Sequence, residues 1–343
     1  MAGDALLLQA CARRPLPRPP VWLMRQAGRV LPEYRDIRTR HTLLEICAHA
    51  ELAAEVTLQP VRRLGVDAAI LFADILLPLI PLGFSVRFVA GEGPVIDNRI
   101  EGPADIAKLR DGAIEDALAP TFEAIRIVRG ALPPGVALIG FAGAPFTLAS
   151  YLIEGEPSRS FIRTKRFMYS EPAAFGRLLA VLAQRTAEYL RAQAAAGAQA
   201  LQLFDSWVGA LAPEDYRVHV QPHTAAVFEG LAGAAVPTLH FGTATGGLLE
   251  AMRDAGGDVI GVDWRIPLDE AWRRIGSDRG IQGNLDPGVL LAPVAEIERQ
   301  VDRVLAEAGG RPGHIFNLGH GLLPETPVDA VRVLVERVHA HGG

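Results

Sequence analysis

Apolar residues along this chain fall into two rhythms. Short, nearly continuous runs at 21–24, 66–72, 136–141, 198–204, 236–241, 258–262, 280–284 and 314–318 read as strands covered on both faces. Longer segments between most of them, such as 173–196 and 294–308, carry apolar residues at helical spacing. Thr42-Leu43-Leu44-Glu45 has the form of a capping box and starts a helix running towards Gln59, with Gly65 closing that region. The stretch 104–130 also reads as helix. Eight such apolar runs alternating with helices predict a parallel sheet closed into a single α/β domain, a (β/α)8 TIM barrel over 21–343. A doubly wound open sheet is the alternative, but no GxGxxG follows the early strands. Residues 84–98 break the rhythm. Phe84-Ser85-Val86-Arg87-Phe88-Val89 alternates, Gly91-Glu92-Gly93 turns, and 94–97 returns, which predicts a β-hairpin insertion. Residues 1–20 end in a proline-rich run and read as an extended N-terminal lead-in.

Composition narrows the class. The chain has 343 residues, 49% of them apolar, enough for a sizeable core. Its net charge of -5 disfavours bulk nucleic-acid binding. The charge is uneven: residues 1–40 hold eight arginines against Asp4, Glu33 and Asp36. That local excess suits a polyanionic small molecule better than a duplex, because no long basic face follows it. Cys11 and Cys47 form neither a CxxC pair nor a framework, which fits a reducing compartment. The start lacks the form of a signal peptide, and the most apolar window, 68–86, is interrupted by Asp74, Pro78 and Pro81. These features predict a cytoplasmic protein with no membrane span.

In a barrel of this kind, chemistry gathers where strands end. The stretch 21–35, VWLMRQAGRVLPEYR, places Arg25 and Arg29 around a small Ala27-Gly28 pair. It reads either as an anion grip, with planar guanidinium forks matched to carboxylates, or as a surface turn with solvated arginines. Asp74 follows the second run with apolar flanks, so it either pairs with a nearby arginine or awaits a cationic or N–H-rich ligand. Asp205-Ser206-Trp207, Asp263-Trp264-Arg265, Asn284-Leu285-Asp286 and Asn317-Leu318-Gly319-His320 complete a ring of polar groups. Taken singly each suits a structural role: Asp205 or Asp286 as a helix cap, Asp263 as a partner of Arg265. The segment 242–247, GTATGG, reads as a helix start that could face an anion. Zinc-ligand spacing, HExxH, a P-loop and a GxSxG elbow are absent, and neither Lys108 nor Lys165 lies at a strand end.

With these residues assembled, the sequence resembles the uroporphyrinogen decarboxylase family from about Pro20 to Thr326. The motifs are MRQAGR at 24–29, LPEYR at 31–35, FADIL at 72–76, GFAGAPFTLASYLIEG at 140–155, FDSW at 204–207, VDWR at 262–265, QGNLDP at 282–287 and NLGHG at 317–321. Val30 departs from the family, which usually has Tyr there, and Ser206 is an accepted alternative to Thr. The resemblance implies a (β/α)8 barrel acting as a homodimer on a porphyrinogen. It implies removal of the four acetate carboxyls of uroporphyrinogen III to give coproporphyrinogen III in haem biosynthesis, with no metal and no organic cofactor. It further implies that Arg25, Gln26, Ala27, Gly28 and Arg29 bind substrate carboxylates and that Asp74 meets the central pyrrole N–H groups. Phe141, Tyr151, Ser206 and His320 complete the substrate site, and Asp74 and Arg29 are the expected catalytic groups.

A corrinoid- or zinc-dependent methyltransferase is a rival, since such enzymes share this barrel, but they need His and Cys zinc ligands at late strand ends, and the only cysteines here are Cys11 and Cys47. A tetrapyrrole carrier with the same arginine grip is the non-enzyme rival.

Overall fold

The structure, a computed structural model, describes residues 5–89 and 93–341. Among them are nine strands: β1 (Ala68–Ile70), β2 (Val86–Val89), β3 (Gly93–Ile96), β4 (Ala137–Gly143), β5 (Ala200–Asp205), β6 (Thr238–Gly242), β7 (Val259–Gly261), β8 (Gly280–Leu285) and β9 (His314–Leu318). Seven form one parallel sheet in the order β1-β4-β5-β6-β7-β8-β9. Almost every residue of these strands is buried on both faces, as continuous apolar runs under flanking helices require. β2 and β3 pair antiparallel, with Val86 opposite Ile96. The turn expected at Gly91 and Glu92 lies outside the described residues.

The first apolar run is shorter than its sequence suggests. Val21 makes a single parallel bridge to Phe316 of β9. The Phe316 N–H donates to the Pro20 carbonyl at 2.9 Å, and the Asp67 N–H, just before β1, donates to the Val21 carbonyl at 2.8 Å. Residues 20–22 therefore lie between β1 and β9, the two strands at the ends of the sheet order, and bond towards both. Beyond them, side chains replace ladder partners. The Leu23 N–H donates to Gln26 Oε1 at 2.8 Å and the Met24 N–H to Asn317 Oδ1 at 3.1 Å, so the run turns instead of extending to Met24.

The lead-in is not extended throughout. Leu6–Cys11 form a helix that buries Leu7, Ala10 and Cys11. Arg18 then ties the following segment down, donating from both guanidinium nitrogens to Asp67 at 2.7 and 2.8 Å.

Two expected helices are broken. The capping box at Thr42 forms, with the Glu45 N–H donating to Thr42 Oγ1 and the Thr42 N–H to Glu45 Oε2. His49, however, adopts extended backbone and separates Leu43–Ala48 from Ala50–Leu64. Gly65 closes the second helix at φ 68°, as expected of a left-handed cap. The stretch 104–130 is divided into Pro103–Ile106, Ile114–Ala117 and Ala119–Ala131. Pro120, which has no N–H to donate, sits in the opening turn of the last. Nor does 242–247 open a helix; the next one begins at Leu249.

Inside the sheet a polar belt joins distant strands. Trp22 Nε1 donates to Gln282 Oε1 at 3.0 Å, and Gln282 Nε2 donates to Gln202 Oε1 at 3.1 Å, all three side chains being fully buried. A separate apolar cluster containing Leu76, Leu79, Phe146 and Phe175 supports the segment after β1 that carries Asp74. Among the described residues no helix is long and apolar enough to cross a membrane.

Candidate active site

The loop 25–29 is built on left-handed backbone. Arg25 (φ 62°), Gly28 (φ 112°) and Arg29 (φ 33°) all have positive φ. Such conformations are costly for residues with a Cβ and concentrate at functional sites. At Gly28 the constraint is the backbone and not space: a Cβ there would make only ordinary contacts with the Tyr34 ring at 3.4 Å and the Phe72 ring at 3.5 Å. The outcome is a tight turn presenting Arg25, Ala27 and Arg29 to one cavity.

That cavity, about 370 Å³, opens where β1, β4, β5 and β6 end. It gathers Arg25, Ala27, Arg29, Asp74, Phe141, Tyr151, Ser206 and His320, drawn from positions up to three hundred residues apart in the chain. Two expected residues are placed elsewhere. Gln26 is fully buried, and its amide is committed to the Leu23 N–H and to the Ala68 carbonyl, to which Nε2 donates at 2.8 Å. Gly28 does not line the cavity; it shapes the turn. Val30 is buried in the main core, so the residue that departs from the family pattern packs inward.

Electrostatics set the protonation states. Burial pushes the Asp74 carboxyl up to about 6, against the Leu76 N–H, which donates to Oδ1 at 2.9 Å, and the charge of Arg25. The group is therefore mainly ionised at neutral pH but poorly compensated. Burial, and then repulsion from Arg25, bring Arg29 down to about 10. Burial and the charges of Arg25, Arg29 and Arg265 hold His320 down at about 4, so its ring is neutral at pH 7. Burial and the Asp74 charge push Tyr151 up to about 12, keeping its hydroxyl a donor. An exposed and a half-buried arginine beside a half-buried, poorly compensated carboxylate put both signs of charge on one cavity.

The floor is aromatic. Phe141 meets Phe204 edge-on at 5.5 Å, and Phe204 meets Phe241 edge-on at 5.9 Å. Phe204 and Phe241 are register partners on β5 and β6. Phe204, Phe241, Tyr34 and Phe72, none of them among the expected site residues, also line the cavity. Phe88 of β2 and Pro94 of β3 also line it, which gives the hairpin a place at the mouth. The remaining strand-end carboxylates are structural. Asp263 accepts from the Ala244 N–H at 2.6 Å and pairs with Arg265, and Asp286 caps the short helix after β8. Asp205 caps no helix; it is fully buried, with Thr147 donating to it and His240 Nε2 3.6 Å away.

A cavity at the carboxyl ends of parallel strands, with an aromatic floor, one desolvated carboxylate and two arginine forks, is an enzyme-type site for a flat polyanion with a cationic or N–H-rich centre. A family profile described as uroporphyrinogen decarboxylase (URO-D) matches residues 3–341. The chain belongs to that family. A uroporphyrinogen decarboxylase from Sorangium cellulosum is 57% identical over 333 residues, covering 97% of this chain and 95% of the relative. One from Thermus thermophilus is 55% identical over 333 residues, covering 97% of both. Among solved structures, a methyltransferase from Methanosarcina mazei superposes with a TM-score of 0.79 at 19% identity, covering 99% of each chain. At that identity the likeness concerns the fold alone.

Proposed function

We propose that this chain is a uroporphyrinogen decarboxylase that removes the four acetate carboxyls of uroporphyrinogen III, giving coproporphyrinogen III in haem biosynthesis, without metal or organic cofactor. The observation that carries the reading is Asp74: a carboxylate held near pKa 6 by burial, in an aromatic cavity rimmed by Arg25 and Arg29. In this reading residues 20–22 act as the eighth stave of a (β/α)8 barrel, because both ends of the seven-strand sheet hydrogen-bond towards them. Residues 21–343 then form one domain, the hairpin is an insertion at its mouth, and the working form is a cytoplasmic homodimer with no nucleic-acid partner.

Losing CO2 from an acetate arm leaves an electron pair that needs a sink. Protonation of a pyrrole ring carbon makes a cation conjugated to that arm. The C–CO2 bond pair then moves into the ring system, CO2 leaves, and an exocyclic methylene remains. A proton added to the methylene carbon gives the methyl group, and the ring carbon returns its own proton. The macrocycle is its own electron sink, so no carbanion-stabilising cofactor is required. In this reading Asp74 meets the pyrrole N–H groups and stabilises the cationic stages by its charge. Arg25 and Arg29 hold carboxylates by paired N–H bonds. Arg29 is the expected proton donor, its acidity raised by burial and by Arg25. Tyr151, Ser206 and the neutral His320 contact the substrate rim, and Phe141 forms an apolar wall against the ring.

The test is incubation of purified, metal-free protein with anaerobically reduced uroporphyrinogen, following product carboxyl number by chromatography. Stepwise conversion from eight to four carboxyls is expected. Tight binding with no loss of carboxyls would make the protein a carrier and end the reading.

A further inference from the structure

The loop bearing Arg25 is stitched to a segment nearly three hundred residues later. Met24, the residue before it, is gripped on both sides: its N–H donates to Asn317 Oδ1 at 3.1 Å, and its carbonyl accepts from the Leu322 N–H at 2.9 Å. Arg35 adds a third tie, donating to the Arg29 carbonyl at 3.1 Å and to the Pro324 carbonyl at 2.8 Å. Between these ties Gly321 lies directly under the Arg25 side chain. A Cβ added there would overlap Arg25 Cδ and lie 2.6 Å from Cγ. Gly321 has no positive φ, so the backbone does not demand glycine. The missing methyl is what gives the arginine stem its path.

We propose that Gly321 and Asn317 are positioning residues for Arg25: Asn317 fixes the backbone before it, and Gly321 is the slot that directs its guanidinium over the cavity. Neither side chain needs to touch substrate for this. Asn317 is fully buried, and its Oδ1 also accepts from the Leu318 N–H at 2.8 Å, so the acceptor is itself held in place. Arg25 carries left-handed backbone at φ 62° and is exposed, so without the slot its long side chain would sample many directions.

Gly321→Ala, Arg25→Ala and the double variant are compared for kcat, KM and melting temperature. Gly321→Ala alone should lose roughly 10²-fold in kcat/KM, the scale of a misplacement of about 1 Å, with most of the change in KM. In the Arg25→Ala background it should add nothing. Where Gly321→Ala lowers the melting temperature or fails to fold, Arg25→Ala in the same chain should restore it, because the overlap is with that side chain. Asn317→Ser, which adds no bulk, should depend on Arg25 in the same way. Normal kinetics for Gly321→Ala, equal losses with and without the Arg25 side chain, or a folding defect that Arg25→Ala does not relieve would each overturn the proposal. The kinetic arm rests on Arg25 as a carboxylate holder. A harmless Arg25→Ala would defeat that role, and the stability rescue would then decide the positioning claim by itself.

Discussion

Arg25 lies close enough to Asp74 for its charge to lower the carboxyl's proton affinity, yet among the described residues no salt bridge joins the two. The carboxylate takes one backbone N–H, from Leu76, and its remaining capacity faces the cavity. An arginine that neutralised Asp74 would leave nothing for a cationic intermediate. One held at a distance, with its fork directed to the rim, leaves the negative charge available.

Asp74→Asn should therefore fold and lose at least ~10²-fold in turnover, the scale of one preorganised electrostatic partner. Circular dichroism and the carboxyl-number assay check both halves. Unimpaired turnover would remove Asp74 from the mechanism.

The same substitution should stabilise the protein. Asp74 ionises at about 6 when folded, against an ordinary carboxyl value of 3.8, so the folded state binds its proton more tightly than the unfolded one. Stability then falls as pH rises from about 4 to about 6, and the full cost persists above that. At pH 7 the cost is at most about 3 kcal/mol, two units at roughly 1.4 kcal/mol each. Asn carries no such charge, so its melting temperature should exceed that of the wild type at pH 7, with the gap closing near pH 4. Equal melting temperatures at pH 7 would mean the carboxylate is better compensated than its surroundings indicate.

The pH dependence of kcat/KM should show an acid limb near 6, where Asp74 takes up its proton. His320, held at about 4, should contribute nothing between pH 5 and 8. A limb unchanged in Asp74→Asn would assign it to another group.

Arg25→Lys and Arg29→Lys keep the charge but lose the fork. Each should lower kcat/KM by roughly tenfold or more, the worth of one charge-assisted hydrogen bond. Unchanged kinetics would reduce the grip to simple charge.

Gln282→Ala should cost about 2–4 kcal/mol, because it strands both Trp22 Nε1 and the Gln202 amide in a dry interior. Denaturant unfolding measures the loss, and kcat should be unaffected.

Much of the fold is legible because its strands are buried on both faces: apolar runs at 136–141 and 314–318 have no solvent side to confuse the pattern. Where side chains substitute for the backbone ladder, legibility ends. Nothing in Val21-Trp22-Leu23-Met24 signals that Gln26 and Asn317 will take the hydrogen bonds of Leu23 and Met24. The charged members of the site stand out because Asp74 is anomalous among apolar neighbours. Phe204 and Phe241 do not, since a phenylalanine facing a cavity has the same sequence signature as one facing the core. Gln26 is the converse. Its place in a charged motif suggests ligand contact, and its burial assigns it to holding the turn.

The tie between Met24 and Asn317 spans 293 positions. During synthesis the arginine-bearing turn emerges 293 residues ahead of its anchor. A nascent chain that has not yet reached Asn317 would own both guanidiniums without the geometry to use them, so affinity for the macrocycle should switch on only once that residue has emerged and docked.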